Sequence, residues 1–164
     1  MEFKNKSKSL VAYFSAMGNT AEIAKMIAEL TGADLFEIKP VKPYTREDLN
    51  FREPTSRCCK EHDNPKARPE IVEPMPDCGK YDKIYLGFPS WWAEAPRIIL
   101  AFLERAKGFE GKTIIPFVSS HSSPLGQHGT LLHPFAPKAN WQAGVRFKLT
   151  PPKQDVEAWL KTIK

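Results

Sequence analysis

Three short runs of nearly continuous apolar residues constrain the fold of this chain more than any other feature of its sequence. They span residues 10–14, 84–88 and 114–118. A strand that is covered by helices on both faces is apolar along its whole length, whereas a half-exposed strand alternates polar and apolar residues. The three runs therefore predict the centre of a buried parallel sheet, although Pro116 in the third run lacks the N–H group that a central strand donates.

Helical patterns lie between these runs. Apolar residues recur at helical spacing after the first two runs, the second time directly behind Pro96, which is well placed as a first helical residue. Weaker strand patterns occupy residues 34–38 and 145–149, and one apolar helical face occupies residues 155–163. Strand and helix thus alternate about five times, which predicts an α/β domain with a doubly wound, five-stranded parallel sheet and helices on both faces.

Two segments do not follow this alternation. Residues 39–76 contain seven prolines and many charges, so we expect an extended or partly helical excursion over the surface. Residues 119–137 are rich in Ser, His, Pro and Gly. They begin where a central strand ends, and in open α/β sheets ligands bind at such ends.

Length and charge exclude several classes of protein. The chain has 164 residues, enough for one core, and we assign residues 9–164 to a single domain and residues 1–8 to a basic tail with little fixed structure. Polar residues at 15–20 break the first apolar run, so a secretory signal is not expected. The net charge of +5 forms no basic stripe that alternates with aromatics, and no apolar run approaches the roughly 18 residues of a membrane span.

The cysteines and histidines do not form metal or disulfide patterns. Cys58, Cys59 and Cys78 fit neither a disulfide framework nor zinc spacing. His128 and His133 have no acid or ligand partner at metal spacing. We therefore expect reduced thiols, a cytoplasmic protein and no metal site.

The segment SAMGNT joins the first predicted strand to the first helix. Ser15, Asn19 and Thr20 supply short polar side chains, and Gly18 allows close approach to the backbone N–H groups of a helix N-terminus, which attract anions. The segment lacks the glycine spacing of a dinucleotide fingerprint and the lysine of a triphosphate loop, so a monophosphate suits it best. The local sequence leaves open a second interpretation, a helix cap alone, with Asn19 and Glu22 at capping-box spacing.

Trp91 and Trp92 lie in the loop that follows the second predicted strand. One tryptophan is expected to pack into a core, but two adjacent ones at a loop tip are harder to bury. Because the carboxyl ends of parallel strands meet at one edge of a sheet, this loop adjoins the phosphate loop. A phosphate site beside a flat aromatic surface describes a mononucleotide site, and a flavin site above all.

Together these motifs resemble those of the flavodoxin-like proteins, which bind FMN. YFSAMGNT resembles the phosphate loop of that family, GADLFEIKPVKPY its second strand, GFPSWWAEAPRIILAFLE its flavin loop with the following helix, and GKTIIPFVSS its fourth strand. The excursion DLNFREPTSRCCKEHDNPKARPEI is similar to that of the short bacterial branch, in which polar residues often replace these cysteines. The resemblance covers nearly all of the chain from Ser9 to the C-terminus and implies the strand order 2-1-3-4-5.

The resemblance also implies which residues contact FMN. The phosphate would lie against the first loop and the isoalloxazine ring against the second, while the third loop would cover the pyrimidine side of the ring. The implied cofactor-binding residues are Ser15, Met17, Gly18, Asn19, Thr20, Pro89, Ser90, Trp91, Trp92, Ala93, Ser119, His121, Ser123 and Gly126.

Two places depart from the family pattern. Met17 stands where a hydroxyl-bearing residue is usual, so one side-chain contact to the phosphate is missing. His121, Ser122 and Pro124 replace glycines of the third loop, and glycine permits backbone angles and close ring approach that other residues resist. His121 invites a catalytic role, but a bystander loop histidine is the favoured interpretation, because the flavin carries the chemistry. No catalytic residue is assigned.

The leading prediction is a cytoplasmic, FMN-dependent oxidoreductase or electron-transfer protein. Its donor would be a nicotinamide or a protein, and its acceptor a small molecule such as a quinone. Electron-carrier flavodoxins tend to be strongly acidic and this chain is not, so a reductase is at least as plausible. The alternative, motivated by the third loop, is a flavodoxin-like binding or regulatory protein that holds flavin weakly. We expect no nucleic-acid or membrane partner, and either a monomer or a homodimer.

Overall fold

The computed structural model describes residues 8–120 and 131–163. The predicted basic tail, apart from Lys8, lies outside these residues. The strands are β1 (Ser9–Tyr13), β2 (Asp34–Glu37), β3 (Lys83–Pro89), β4 (Thr113–Ser119), β5 (Asn140–Trp141) and β6 (Val145–Phe147), and the helices are α1 (Asn19–Thr31), α2 (Arg57–Asp63), α3 (Arg97–Arg105) and α4 (Lys153–Leu160).

The strands form one parallel sheet in the order β2-β1-β3-β4-β5, with β6 also paired to β4. The chain runs outward from β1 to β2 and then crosses to β3 on the other side of β1. Such a reversal between β1 and β3 leaves a crevice at the carboxyl ends of the strands. The predicted doubly wound sheet and its strand order are confirmed.

Alternate residues of the central strands face two separate cores. Leu10 and Ala12 of β1 belong to the core that includes α3, whereas Val11 and Tyr13 belong to the core that includes α1 and α4. Successive side chains of a strand point to opposite faces of the sheet. Because both faces are covered by helices, both sets of residues are apolar, which explains the continuous apolar runs of the sequence.

Two short strands, rather than one, pair with the outer side of β4. The sequence predicts one strand over residues 145–149, but the structure has two short pieces, β5 and β6, which pair with opposite ends of β4. Gly144 lies between the pieces, and a Cβ on this residue would come within 2.6 Å of the Pro116 carbonyl oxygen. Glycine is therefore required where the edge strand passes Pro116.

The position of the break follows from the proline in β4. The Ile114 carbonyl accepts a hydrogen bond from the Gln142 N–H, and the Ser120 N–H donates to the Phe147 carbonyl. Since every second residue of a strand faces the same neighbouring strand, Pro116 also faces this edge and has no N–H to donate. A fourth strand that contains proline is thus accommodated beside an edge strand that is interrupted at the same point.

The predicted excursion between β2 and β3 is partly helical, since it contains α2. Side chains fasten it to the sheet. The Tyr44 ring packs against Phe14 with a centroid distance of 5.5 Å, and its hydroxyl donates to a Glu61 carboxylate oxygen at 2.5 Å. The Arg57 guanidinium lies 3.7 Å from the centroid of the Tyr44 ring and donates to Glu61 at 2.9 Å. The excursion is therefore an integral part of the domain.

Helix boundaries differ slightly from the predicted ones. Pro96 occupies the cap position of α3, so the helix begins at Arg97, one residue later than predicted. The last helix begins at Lys153, two residues before the predicted segment, and ends at Leu160. Among the described residues, no helix combines the length and the apolar character that a membrane span requires.

Candidate functional site

The loops that follow β1 and β3 meet the carboxyl end of β4 at one edge of the sheet and line a pocket of about 800 Å³. Residues of the excursion and Leu149 form the remaining wall. A volume of this size is typical of pockets for small molecules and cofactors. The described residues that line it are Ser15, Ala16, Met17, Asn19, Thr20, Leu49, Phe51, Arg52, Cys58, Pro89, Ser90, Trp91, Trp92, Ser119, Ser120 and Leu149.

The loop after β1 presents the N-terminus of α1 to the pocket. Gly18 has a φ of 95°, a left-handed angle that favours glycine. The Ser15 hydroxyl oxygen accepts hydrogen bonds from the N–H groups of Gly18 and Ala21, both at 3.1 Å. Because N–H groups in the first turn of a helix lack intrahelical partners, an anion placed here gains hydrogen bonds and the favourable helix dipole. The loop has the donors that a monophosphate needs.

The capping-box interpretation of this loop is wrong in one respect. The structure places Gly18, which has no side chain to bond, at the cap position and Asn19 as the first helical residue. The side chain that accepts from a first-turn N–H group is that of Ser15. The Glu22 N–H donates to the Gly18 carbonyl at 3.2 Å. The Asn19 side chain lines the pocket instead, so a ligand can reach it.

A pair of hydroxyl groups joins the first loop to the end of β4. The side-chain oxygens of Thr20 and Ser119 lie 2.7 Å apart, and both residues are buried. A hydroxyl can donate one hydrogen bond and accept two, so the pair retains capacity toward a ligand in the pocket. The sequence predicts both residues as members of the site, but it does not predict their contact, because 99 positions separate them.

The loop after β3 is a tight hairpin with a left-handed backbone. Trp91 and Glu94 exchange two N–H···O hydrogen bonds of 2.9 and 3.0 Å, which leaves Trp92 and Ala93 as a two-residue turn. The φ angles of these two residues are 55° and 62°, as a type I′ turn requires, although glycine and asparagine usually supply them. Such strained backbone persists only where the surrounding structure enforces it, and it clusters at ligand-binding sites.

The two tryptophans of this loop have different surroundings. The Trp91 ring lies edge-on to Phe14 and Tyr44, at centroid distances of 5.9 and 5.6 Å, and packs against the core. The Trp92 ring is 42% exposed and stacks on the His62 ring at a centroid distance of 4.4 Å. Trp92 therefore offers the pocket an aromatic surface that the core does not use.

Sequence reasoning missed the wall that the excursion contributes. Leu49, Phe51, Arg52 and Cys58 all line the pocket, yet their spacing shows no motif. The only available signal is the resemblance of the whole excursion to that of a known family, which singles out no residue. Long-range packing of the excursion against the sheet edge brings these side chains to the site.

The cysteine on the pocket wall is not an activated nucleophile. Burial raises the pKa of the Cys58 thiol, so the thiol stays protonated at neutral pH. Burial also raises the pKa of Cys78, which does not line the pocket, to about 12. Among residues 8–120 and 131–163, no cluster of three His, Cys, Asp or Glu side chains could hold a metal ion.

The predicted cofactor-binding residues fall into three groups. Gly18 and Ala93 supply the left-handed backbone of the two loops. His121, Ser123 and Gly126 lie outside the described residues. For all three groups, contact with a cofactor stays a prediction. Those that line the pocket are Ser15, Met17, Asn19, Thr20, Pro89, Ser90, Trp91, Trp92 and Ser119.

The chain belongs to the flavodoxin family, since the model of that family matches residues 8–163. A candidate flavoprotein from Bacteroides uniformis is 40% identical to this chain, over 96% of this chain and 99% of its own, with a TM-score of 0.90. One from Bacteroides eggerthii is also 40% identical, over 96% of this chain and 98% of its own, with a TM-score of 0.88. A flavoprotein from Lactobacillus acidophilus, solved in complex with FMN, is 22% identical over 94% of this chain and 99% of its own, with a TM-score of 0.72. That likeness shows the fold alone. A comparison with curated proteins gives no match.

Proposed function

We propose that this protein binds FMN in the pocket at the switch point of the sheet and uses it to transfer electrons. One observation carries the proposal: the N-terminus of α1 and the exposed ring of Trp92 line the same pocket. The first suits a phosphate and the second a flat aromatic ring. The Lactobacillus acidophilus flavoprotein, which shares the fold, was solved with FMN, and this supports the choice of ligand.

The first loop fits the phosphate end of FMN. The phosphate would accept hydrogen bonds from backbone N–H groups of the first turn of α1 and from the hydroxyls of Ser15 and Thr20. Met17 is 78% exposed and brings no side-chain donor. Its backbone N–H does not depend on the side chain, so the loss of the usual hydroxyl removes one contact and leaves the others.

The second loop fits the ring end of FMN. Trp92 would stack on the isoalloxazine ring, while Trp91 supports the loop from the core side. Ser119 and Ser90 lie at the polar ends of β4 and β3, and the Ser90 N–H donates to the Ser119 carbonyl at 2.9 Å. When bound, FMN supplies the redox chemistry, and the protein contributes binding, orientation and exclusion of water.

Within this function we propose a cytoplasmic reductase of small acceptors such as quinones, with a nicotinamide or a protein as electron donor and a monomer or homodimer as the working form. The basic character of the chain, with a pI of about 9.1, supports small acceptors over the docking of a basic carrier protein.

The competing function is a binding or regulatory protein with weak flavin affinity, and the exposed Met17 in the phosphate loop favours it.

The visible absorption spectrum of the purified protein decides between these functions. An FMN-dependent reductase should copurify with a yellow chromophore or take up FMN stoichiometrically, and should then oxidise a nicotinamide in the presence of a quinone. A protein that stays colourless and shows no saturable FMN uptake would contradict the proposal.

The Asn19→Asp variant tests the position of the phosphate. The new carboxylate lies in the first turn of α1, where it is favourable for the helix but repels a phosphate. We expect FMN affinity to fall at least about tenfold, riboflavin affinity to stay unchanged, and the apoprotein to be slightly more stable. Asn140→Asp, on the exposed edge strand, is the matched control. Equal loss of riboflavin and FMN binding would place the phosphate elsewhere.

A further inference from the structure

We propose that Phe51 and Arg52 form a subsite for the electron acceptor, and that this subsite selects planar acceptors that carry an anionic substituent. The inference rests on the proposed function. In that proposal the loops after β1 and β3 and the end of β4 hold FMN, and the lining residues that remain are Leu149 and four residues of the excursion, Leu49, Phe51, Arg52 and Cys58. A second ligand would therefore meet the excursion wall.

Hydrogen bonds hold the backbone of the excursion at Phe51 and Arg52. The Cys59 thiol lies 3.5 Å from the Phe51 carbonyl oxygen, to which it can donate, and the Arg52 N–H donates to the Asn50 side-chain oxygen at 3.1 Å. Cys59 is buried in the first turn of α2. These contacts fix the backbone that presents the Phe51 ring and the Arg52 guanidinium, so the subsite needs no large rearrangement to receive a ligand.

An apolar rim surrounds the mouth of the pocket. Met17, Phe51 and Trp92 are 78%, 64% and 42% exposed, and all three line the pocket. One exposed apolar side chain is ordinary, but three around a single opening form a patch that favours a ligand over water. With Met17 and Trp92 beside the bound FMN, the Phe51 ring remains for a second planar, mostly apolar molecule to cover by stacking.

The charge at this rim has one sign. Among the described residues that line the pocket, Arg52 alone is charged, and its guanidinium carbon lies 5.5 Å from the centroid of the Phe51 ring. The nearby carboxylates of Asp48 and Glu61 are paired with Arg57. A guanidinium beside an aromatic ring can bind a carboxylate or sulfonate while the ring stacks on the body of the ligand.

The test compares two quinones with the same ring system, 1,4-naphthoquinone and its 2-sulfonate, in binding to the oxidised, FMN-loaded protein by equilibrium dialysis. We expect the sulfonate to bind about fivefold more tightly than the neutral quinone, the size of effect expected of a solvent-exposed ion pair. Arg52→Gln should abolish this preference, and Phe51→Leu should weaken binding of both quinones. Arg46→Gln removes an exposed charge of the excursion outside the pocket lining, and should retain the preference.

Three results would overturn the inference. The first is equal affinity of the parent protein for the two quinones. The second is equal loss of preference in Arg46→Gln and Arg52→Gln, which would indicate a general field of positive charge. The third is weaker FMN binding in Arg52→Gln, which would place the guanidinium on the FMN phosphate. A chain that takes up no FMN at all would refute the proposed function, and the acceptor subsite with it, before any quinone is added.

Discussion

Trp91 and Trp92 are neighbours in sequence but contribute to different parts of the molecule. Trp91 packs edge-on against two aromatic rings of the core, whereas Trp92 stacks on His62 at the surface and lines the pocket. The left-handed turn that begins at Trp92 points the two rings in different directions. One tryptophan should therefore determine folding and the other ligand binding.

Alanine substitutions should separate these roles. Trp92→Ala should weaken FMN binding by about 1 to 3 kcal/mol, the range for lost aromatic stacking on a base, with little change in stability. Trp91→Ala should lower the free energy of unfolding by about 2 to 3 kcal/mol, since its ring is only partly buried. FMN titration and urea unfolding of the apoprotein measure the two effects. If Trp91→Ala removes FMN binding at unchanged stability, the roles are reversed.

At this scale the sequence predicts positions better than conformations. Ser15, Asn19 and Thr20 are recognisable because short polar residues between an apolar run and a helix pattern have few structural uses. The left-handed angles of Trp92 and Ala93 are not predictable, because local propensity disfavours them and only the surrounding packing imposes them. The contact between Thr20 and Ser119 depends on strand pairing, which local sequence does not encode.

Among the elements, the excursion depends on a small, partly buried network at Tyr44. Burial and the hydrogen bond to the Glu61 carboxylate raise the pKa of the Tyr44 phenol, so its hydroxyl remains a donor. Arg57 neutralises the same carboxylate and covers the Tyr44 ring. The network holds α2 against the sheet, and α2 carries His62, on which Trp92 stacks.

Removing the Tyr44 hydroxyl should therefore destabilise the excursion. Tyr44→Phe keeps the ring packing but loses a hydrogen bond to a charged group, which should lower the free energy of unfolding by about 1 to 3 kcal/mol. Tyr81→Phe is the control, since its hydroxyl bonds to Asp34 at an exposed edge, and it should cost less than about 1 kcal/mol. Chemical denaturation measures both. Equal losses would show that burial of the network contributes nothing.

The elements themselves were largely predictable. The three apolar runs became β1, β3 and β4, because strands buried on two faces need continuous apolar sequence. The division of the fifth strand into β5 and β6 was not predicted, since it depends on Pro116 in a neighbouring strand rather than on residues 145–149. The place of α2 in the excursion was also hidden, because a seven-residue helix with few apolar positions has no clear period.

For the whole molecule, the phenols predict a loss of stability at high pH. Burial raises the pKa of each of the four tyrosine phenols, and it raises the pKa of Tyr81 to about 12. Burial also raises the pKa of the Cys78 thiol to about 12. An unfolded phenol has a pKa of about 10 and an unfolded thiol about 8.5. Between these values the native state binds more protons than the unfolded state, so stability falls as pH rises. The tyrosines are Tyr13, Tyr44, Tyr81 and Tyr85.

We expect the free energy of unfolding to be independent of these groups below about pH 8.5 and to decrease steadily from there toward pH 12. Urea unfolding at a series of alkaline pH values measures the decrease, and the tyrosinate absorption of the folded protein reports when the phenols ionise. A free energy of unfolding that stays constant through pH 11 would show that the phenols titrate alike in the folded and unfolded states.

The divided edge strand also bears on how the protein behaves at high concentration. A long, regular edge strand exposes a row of N–H and C=O groups to which a strand of another copy can add, and such additions propagate into fibrils. Here β5 and β6 have only two and three residues, and the break at Gly144 interrupts the row. The opposite edge, β2, has four residues. Within the part of the chain that the structure describes, neither edge presents a long regular template, so we expect the sheet to resist fibril growth from both sides.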